Sequence, residues 1–321
     1  MLLMRVALTA ALLCACTVAA QPVRLIFDTD IGNDVDDALA LAMIHALESR
    51  GEAKLLAVTV SKDNKYAAPF VDVVNTFYGR GEIPIGVVRN GKTPEDSPMI
   101  RVPAERRNPD GSYVYPHRLT DGADAPDAAQ VLRRALEKED DGSVVIVMVG
   151  FSTNLARLLS SAPDLVKRKV RLLSAMAGWF PAGEPEYNVK TDIPAARQVF
   201  RDWPSPIVFS GFEIGQAMLF PAASIQHDFA WVANHPVAEA YRTYMPMPYD
   251  RPIWDLTAVL YAVRPDRNYF LLSAPGTVDV DDKGRTVFTA APDGKRRYLI
   301  LGEQQKARTL EALILLASQP K

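Results

Sequence analysis

Val23-Arg24-Leu25-Ile26-Phe27 leads directly into Asp28-Thr29-Asp30-Ile31-Gly32-Asn33-Asp34-Val35-Asp36-Asp37, which leads directly into Ala38-Leu39-Ala40-Leu41-Ala42-Met43-Ile44. The first stretch is a short apolar run closed by turn chemistry and predicts a buried strand. The third carries Ala38, Leu39, Leu41, Ala42 and Ile44 at the three-to-four spacing of a helix packed on a sheet. The aspartates therefore fill a β-to-α turn. Like charges ~4 Å apart repel by about 4 kcal/mol at an effective dielectric of ~20, so five carboxylates at a strand end need compensation. Helix capping accounts for one or two of them, Asp34 and Asp36 being the best placed. A multivalent cation accounts for the set. Because the loop holds neither Cys nor His, the implied ion is oxygen-seeking, Ca²⁺ or Mg²⁺ rather than Zn²⁺.

The alternation continues along the chain. Leu55–Val60, Ile85–Val88, Val144–Val149, Val170–Ser174 and Ile207–Ser210 read as further strands, with helices expected at about Ala67–Tyr78, Ala128–Lys138 and from Asn154. This predicts an α/β fold: a mainly parallel, Rossmann-like open sheet with helices on both faces. In such sheets ligands bind beyond the carboxyl ends of the strands. The segment Arg89 to Pro126 is rich in Pro, Gly and charge and long for a connection, so it is expected to cover or border the site. Thr277 to Phe288 reads as a peripheral hairpin turning around Asp282 to Gly284, ahead of a last helix.

Residues 1–20 have the pattern of a signal peptide: Arg5, an apolar stretch from Val6 to Leu13, then Thr17-Val18-Ala19-Ala20 before Gln21. Its apolar part is too short to remain as a membrane span. Leu13-Cys14-Ala15-Cys16 also fits a lipoprotein processing site, with a lipid anchor at Cys16 as the alternative to a secreted or periplasmic product. Both cysteines of the chain, Cys14 and Cys16, lie in this segment, so residues 21–321 have no disulfide chemistry and read as one domain. With 36 basic and 38 acidic side chains and a net charge of −2, neither nucleic acid nor an anionic membrane is the expected partner. A small neutral ligand fits better, and a homo-oligomer stays open.

Taken together, the motifs resemble those of the inosine/uridine-preferring nucleoside hydrolase family, in order and over most of residues 21–321. Asp28 to Ala40 is similar to the family's N-terminal signature. Leu56-Ala57-Val58-Thr59-Val60 running to Asn64 resembles its second strand, and Val149-Gly150-Phe151-Ser152-Thr153-Asn154 its Gly-Pro-Leu-Thr-Asn turn. Glu186-Tyr187-Asn188 resembles its Glu-Phe-Asn segment, and Trp254-Asp255-Leu256-Thr257-Ala258 its late His-Asp-Pro-x-Ala segment. The resemblance implies hydrolysis of ribonucleosides to ribose and free base by a Ca²⁺-bound water that Asp30 deprotonates. It implies Asp30, Asp37, Asp255 and the Val149 carbonyl as ion ligands. Asp36, Asn64, Glu186, Asn188 and Asp255 would hold the ribose. The loop is two residues longer than the common Asp-x-Asp-Pro-Gly-x-Asp-Asp form, so Asp34 and Asp36 are both candidates for one ribose contact.

The chemistry is coherent on physical grounds. Breaking a C–N glycosidic bond passes through an oxocarbenium-like ribosyl that carboxylates stabilise. Trp254 stands where the family often has His, and is a candidate to stack on the base. Trp179, Phe180, Tyr187 and Tyr249 are further candidates for a base pocket. His117, with Asp121 nearby, is a candidate leaving-group acid, whereas His45 is expected on the flank of the first helix. Other readings are a hydrolase of a different N-riboside, a non-catalytic Ca²⁺-dependent nucleoside-binding protein, and a Mg²⁺-dependent phosphohydrolase of the haloacid dehalogenase type, in which Asp28 would attack phosphorus.

Overall fold

A computed structural model describes residues 21–321, and the expected signal peptide, with Cys16, lies outside the described residues. The first half alternates as expected: β1 (Val23–Thr29), α1 (Asp36–Ser49), β2 (Ala53–Lys62), α2 (Ala67–Phe77), β3 (Ile85–Lys92), α3 (Pro98–Glu105), α4 (Ala128–Glu137), β4 (Val144–Met148), α5 (Thr153–Ser161), α6 (Pro163–Lys169) and β5 (Val170–Met176). The second half adds α7 (Tyr187–Thr191), α8 (Ile193–Asp202), β6 (Ile207–Ser210), α9 (Phe212–Gln216), β7 (Leu219–Phe220), α10 (Ala222–His227), α11 (Pro236–Tyr244) and β8 (Arg251–Pro252). It closes with α12 (Asp255–Val263), β9 (Leu271–Leu272), the hairpin β10 (Gly276–Val280) and β11 (Thr286–Ala290), β12 (Arg296–Ile300) and α13 (Glu303–Ala317).

Ten of these strands form one sheet, in the order β11-β10-β12-β6-β5-β4-β1-β2-β3 with β9 on β12. From β3 across to β12 every pairing is parallel. The predicted hairpin is present and forms the antiparallel edge. Strands β1, β4 and β6 are apolar on both faces because helices cover both sides, as parallel sheets require. One apolar cluster gathers α1, α2, α11 and α12 on one face, and another gathers α5, α6 and α8 on the other.

The order reverses between β1 and β4, where the chain leaves β1 toward β2 on one side and β4 leads to β5 on the other. Loops diverge at such a switch point and leave a crevice. The aspartate loop follows β1 and Val149 follows β4, so both open into it. β1 is longer than the sequence suggested: Asp28 and Thr29 stay in the ladder opposite Thr59 and Val60. Propensity disfavours aspartate in a strand, but pairing on both sides overrides it. Gly150 makes the junction possible, since a Cβ there would lie 2.5 Å from the Asp30 amide nitrogen.

Candidate active site

The crevice holds a cavity of about 320 Å³ lined by the aspartate loop, the ends of β4 and β5, α7 and the start of α12. Asp30, Asp34, Asp36, Asp37, Val149, Glu186, Asn188, Trp254 and Asp255 all line it, so nine of the residues singled out from sequence meet in one place. They come from strand ends far apart in the chain.

Asp36, Asp37 and Asp255 each offer a carboxylate oxygen, and the three oxygens lie within 4.8 Å of one another. All three residues are buried. Asp30 stands outside that triad and borders the same cavity. Burial drives the Asp30 carboxyl up to about 7 and Asp36 to about 8, with neighbouring carboxylates adding to both. Burial, then the charges of the surrounding aspartates, also raises Asp37 and Asp255 well above the ordinary range. A set of buried oxygens that resist ionisation together is what a hard divalent cation would relieve. The triad, with Asp30 and the Val149 carbonyl beside it, fits such an ion.

The capping expected of Asp34 and Asp36 is not at α1, which has no side-chain cap. Asp36 instead reaches across to α12, where its Oδ2 accepts the amides of Trp254 at 2.8 Å and Asp255 at 3.1 Å. Asp34 is paired with Arg251: Nε donates to Oδ1 at 3.0 Å and Nη2 to Oδ2. The Arg251 guanidinium also lies over the rings of Tyr244 and Trp254, 5.2 and 5.4 Å from their centroids. Both aspartates therefore have protein partners while facing the cavity.

On the opposite wall, Glu186 opens α7 and its carboxylate accepts three amides: Asn188 at 2.8 Å, Gly178 at 3.0 Å and Val189 at 3.2 Å. Burial nevertheless leaves its pKa raised. The Asn188 side chain donates to the Val149 carbonyl at 2.7 Å, which keeps a second lone pair free for a ligand. Trp254 donates its indole N–H to the Phe212 carbonyl at 2.9 Å and lies face to face with the Phe212 ring.

Several expectations need correction. Asn64 does not line the cavity: its Nδ2 donates to the Glu95 carbonyl at 2.8 Å and its Oδ1 accepts the Tyr66 amide at 2.8 Å, so it fastens one loop to another. Asn33 is the amide that reaches the cavity in that quarter. Asp28 is fully buried behind it, with Oδ1 held by Thr59 at 2.5 Å and Asn154 at 2.8 Å, a poor posture for the attacking carboxylate of a phosphohydrolase. His117 lies in a separate surface depression with Tyr113 and Asp121, so it is no candidate leaving-group acid. His45 sits in the core, where its Nε2 faces Asn75 Oδ1 at 2.9 Å, not on a helix flank.

Of the five aromatics named from the sequence, Tyr187 and Trp254 line the cavity and the other three do not. Phe180 packs on Phe209 and Tyr298, Tyr249 stacks on Tyr241, and Trp179 lies against Phe212. Sequence reasoning missed Asn33, Met176, Phe212, Tyr244 and Arg251, all in the lining. Arg251 had one visible signal, its place four residues before Asp255. Arg89 to Pro126 contributes no residue to the lining and borders the site from behind, through Ser97, whose hydroxyl donates to the Gly32 carbonyl at 2.7 Å, and through Thr93, whose Oγ1 accepts from the Asn33 amide at 3.2 Å.

Comparison with known proteins agrees with this fold. A pyrimidine-specific ribonucleoside hydrolase, RihA, of Salmonella enteritidis is 27% identical over 310 residues, spanning 89% of this chain and 92% of that one. The purine-preferring ribonucleoside hydrolase from Gardnerella vaginalis has the same fold, with a TM-score of 0.71 at 20% identity over 92% of this chain and 98% of that one. An inosine-uridine preferring nucleoside hydrolase from Bacillus anthracis gives 0.70 at 20% identity, over 92% and 99% of the two chains. Residues 25–313 match the family described as inosine-uridine preferring nucleoside hydrolase, so the chain belongs to that family and is an N-ribosyl hydrolase that cleaves the N-glycosidic bond of ribonucleosides.

Proposed function

We propose that this protein hydrolyses ribonucleosides to ribose and free base with Ca²⁺ bound among Asp30, Asp37, Asp255 and the Val149 carbonyl, and that Asp30 is the general base. The observation that carries the proposal is the convergence of Asp30, Asp36, Asp37, Asp255, Glu186 and Asn188 on one cavity at the switch point. When bound, the cation supplies positive charge that offsets the carboxylates and polarises water and sugar hydroxyls.

Each wall then has a task. Asp30, brought near neutral pH by burial, accepts the proton of the attacking water. The water oxygen bonds to C1′ of the sugar as the C1′–N bond breaks, and the bond's electron pair leaves on the base nitrogen. Asp36, Glu186 and Asn188 hold ribose hydroxyls and fix the ring against the water. The remaining carboxylates stabilise the positive charge that develops on the ribosyl. Trp254, with Phe212 behind it, offers a flat apolar face to the base.

The test is release of reducing sugar from inosine, uridine, cytidine, adenosine and guanosine, with and without chelator, beside Asp30→Asn. Base release by the wild type that chelation and the substitution each abolish is expected. Tight retention of nucleoside without base release would identify a binding protein instead. We also propose export, with residues 1–20 removed. Sequencing the N terminus of the protein recovered from its native host gives Gln21 under that proposal and a lipidated Cys16 under the alternative.

A further inference from the structure

The aspartate loop is two residues longer than the commonest family form, and Asn33 and Asp34 occupy the extra length between Gly32 and Val35. Asp34 is taken up by Arg251. Asn33 is taken up by a lysine with no evident reason to be buried. Lys62, the last residue of β2, is only 3% exposed, and the register of β2 on β3 shifts between Val60 and Lys62. Its ammonium donates to Asn33 Oδ1 at 2.8 Å and to the Thr93 carbonyl at 2.7 Å. The Asn33 amide in turn donates to Asp30 Oδ2 at 2.8 Å and to Thr93 Oγ1 at 3.2 Å. The loop closes onto the lysine stem at Gly32. There φ is +111°, and a Cβ would lie 3.1 Å from Lys62 Cδ and 2.6 Å from Ile100 Cδ1.

From this geometry we infer that Lys62 is a positioning residue for the hydrolysis, holding the Asp30 carboxylate through Asn33. The inference rests on Asp30 acting as the base. An ammonium on the amide oxygen draws density from the amide and strengthens its N–H as a donor to the carboxylate. The fixed side chain then presents the other Asp30 oxygen to the cavity without a search over rotamers. The positive charge behind the loop also offsets part of the repulsion among the aspartates in front of it. Burial pulls the Lys62 ammonium below the ordinary lysine range, and the charges of Glu95, Asp30, Asp37 and Asp96 oppose that pull.

The experiment compares wild type, Lys62→Met, Lys62→Arg, Asn33→Ala and the Lys62→Met/Asn33→Ala pair by steady-state hydrolysis of inosine and uridine, with Ca²⁺-dependent melting shifts recorded beside activity. Lys62→Met and Asn33→Ala should each lower kcat by roughly tenfold or more, the usual cost of losing a partner behind a reacting group. KM should stay within about twofold, because the ribose contacts are elsewhere. The double variant should be no worse than Asn33→Ala, since both changes cut the same chain of hydrogen bonds. Lys62→Arg, which keeps a donor, should recover part of the loss, and Ca²⁺ should still raise the melting temperature of every variant. Losses that multiply in the double variant, wild-type kcat in Lys62→Met, or a change confined to KM would overturn the inference. Should Lys62→Met not fold, wild-type kcat in Asn33→Ala overturns it alone. Retention of activity by Asp30→Asn, run in parallel, marks failure of the general-base assignment instead.

Discussion

The carboxylate of Asp36, at the start of α1, caps the helix that begins at Asp255, accepting that residue's own amide at 3.1 Å together with the Trp254 amide at 2.8 Å. One bond thus joins the two acidic segments of the site, 219 positions apart. Asp36 therefore positions the late motif as well as facing the cavity.

Asp36→Asn separates these two duties. The amide keeps an acceptor for α12 and removes a carboxylate whose ionisation is disfavoured by burial and by Asp34. The cation-free variant should melt at or above the wild-type temperature while its kcat/KM falls by roughly tenfold or more. Asp36→Ala should lose about 1 kcal/mol or more of stability as well, because two helix amides lose their cap. Calorimetry beside nucleoside kinetics checks both, and a destabilised but fully active Asp36→Asn would contradict the assignment.

Arg251 and Asp34 form a second cross-chain tie, with each side chain about one quarter exposed. Arg251→Met should cost roughly 2 kcal/mol, typical of lost hydrogen bonds to a charged group. Asp34→Asn combined with it should add little, which a double-mutant cycle in urea measures. Because Arg251 also packs on Tyr244 and Trp254 at the cavity wall, the variant should raise KM more than it lowers kcat.

Cation affinity should depend on pH in the range set by the raised carboxyls. Without the ion, Asp30 holds its proton up to about 7 and Asp36 up to about 8. Binding must expel protons from these carboxyls, so affinity for Ca²⁺ should climb from pH 6 to 8. Titration calorimetry in two buffers of different ionisation heat should register proton release at pH 7. A constant affinity over pH 6 to 9 would remove the protonated carboxyls from the account.

His45 and His235 set a separate acid limit. Burial pushes both imidazoles down to about 3, with neighbouring cations adding to it. The unfolded chain protonates them near pH 6.5, so below that it binds more protons than the folded state. Stability due to these groups is fully present above about pH 6.5 and is lost as pH falls toward 3. The slope should be about 1.4 kcal/mol per pH unit for each histidine in the middle of that range. Urea denaturation at pH 7, 6, 5 and 4 reads the slope, and His45→Gln should lower it by one histidine's share.

How much of this was legible before folding follows from the range of each signal. Local patterns placed β1, α1, β2, α2, β3, α4, β4, β5 and β6 to within a few residues, because apolar runs and three-to-four spacings are set by neighbours in sequence. The short elements α7, α9, β7, β8 and β9 left no comparable trace, and β12 showed no strand pattern that located it beside β6. Their conformations depend on what they pack against.

The candidate site divides the same way. Asp28 to Asp37 announced a carboxylate loop from its composition alone, and Glu186, Asn188 and Asp255 were legible through resemblance. Partner choice was not legible. That Asp36 caps α12, that Asp34 meets Arg251, that Lys62 reaches Asn33 and that Asn64 turns away to Glu95 depend on loops brought together at the β1–β4 switch point. Sequence determined which groups carry charge and which segments alternate, since both are local properties. Only the tertiary structure decided which charges share a cavity and which are neutralised on the way, because hydrogen bonds and burial are set by distances in space that the chain's own spacing does not contain.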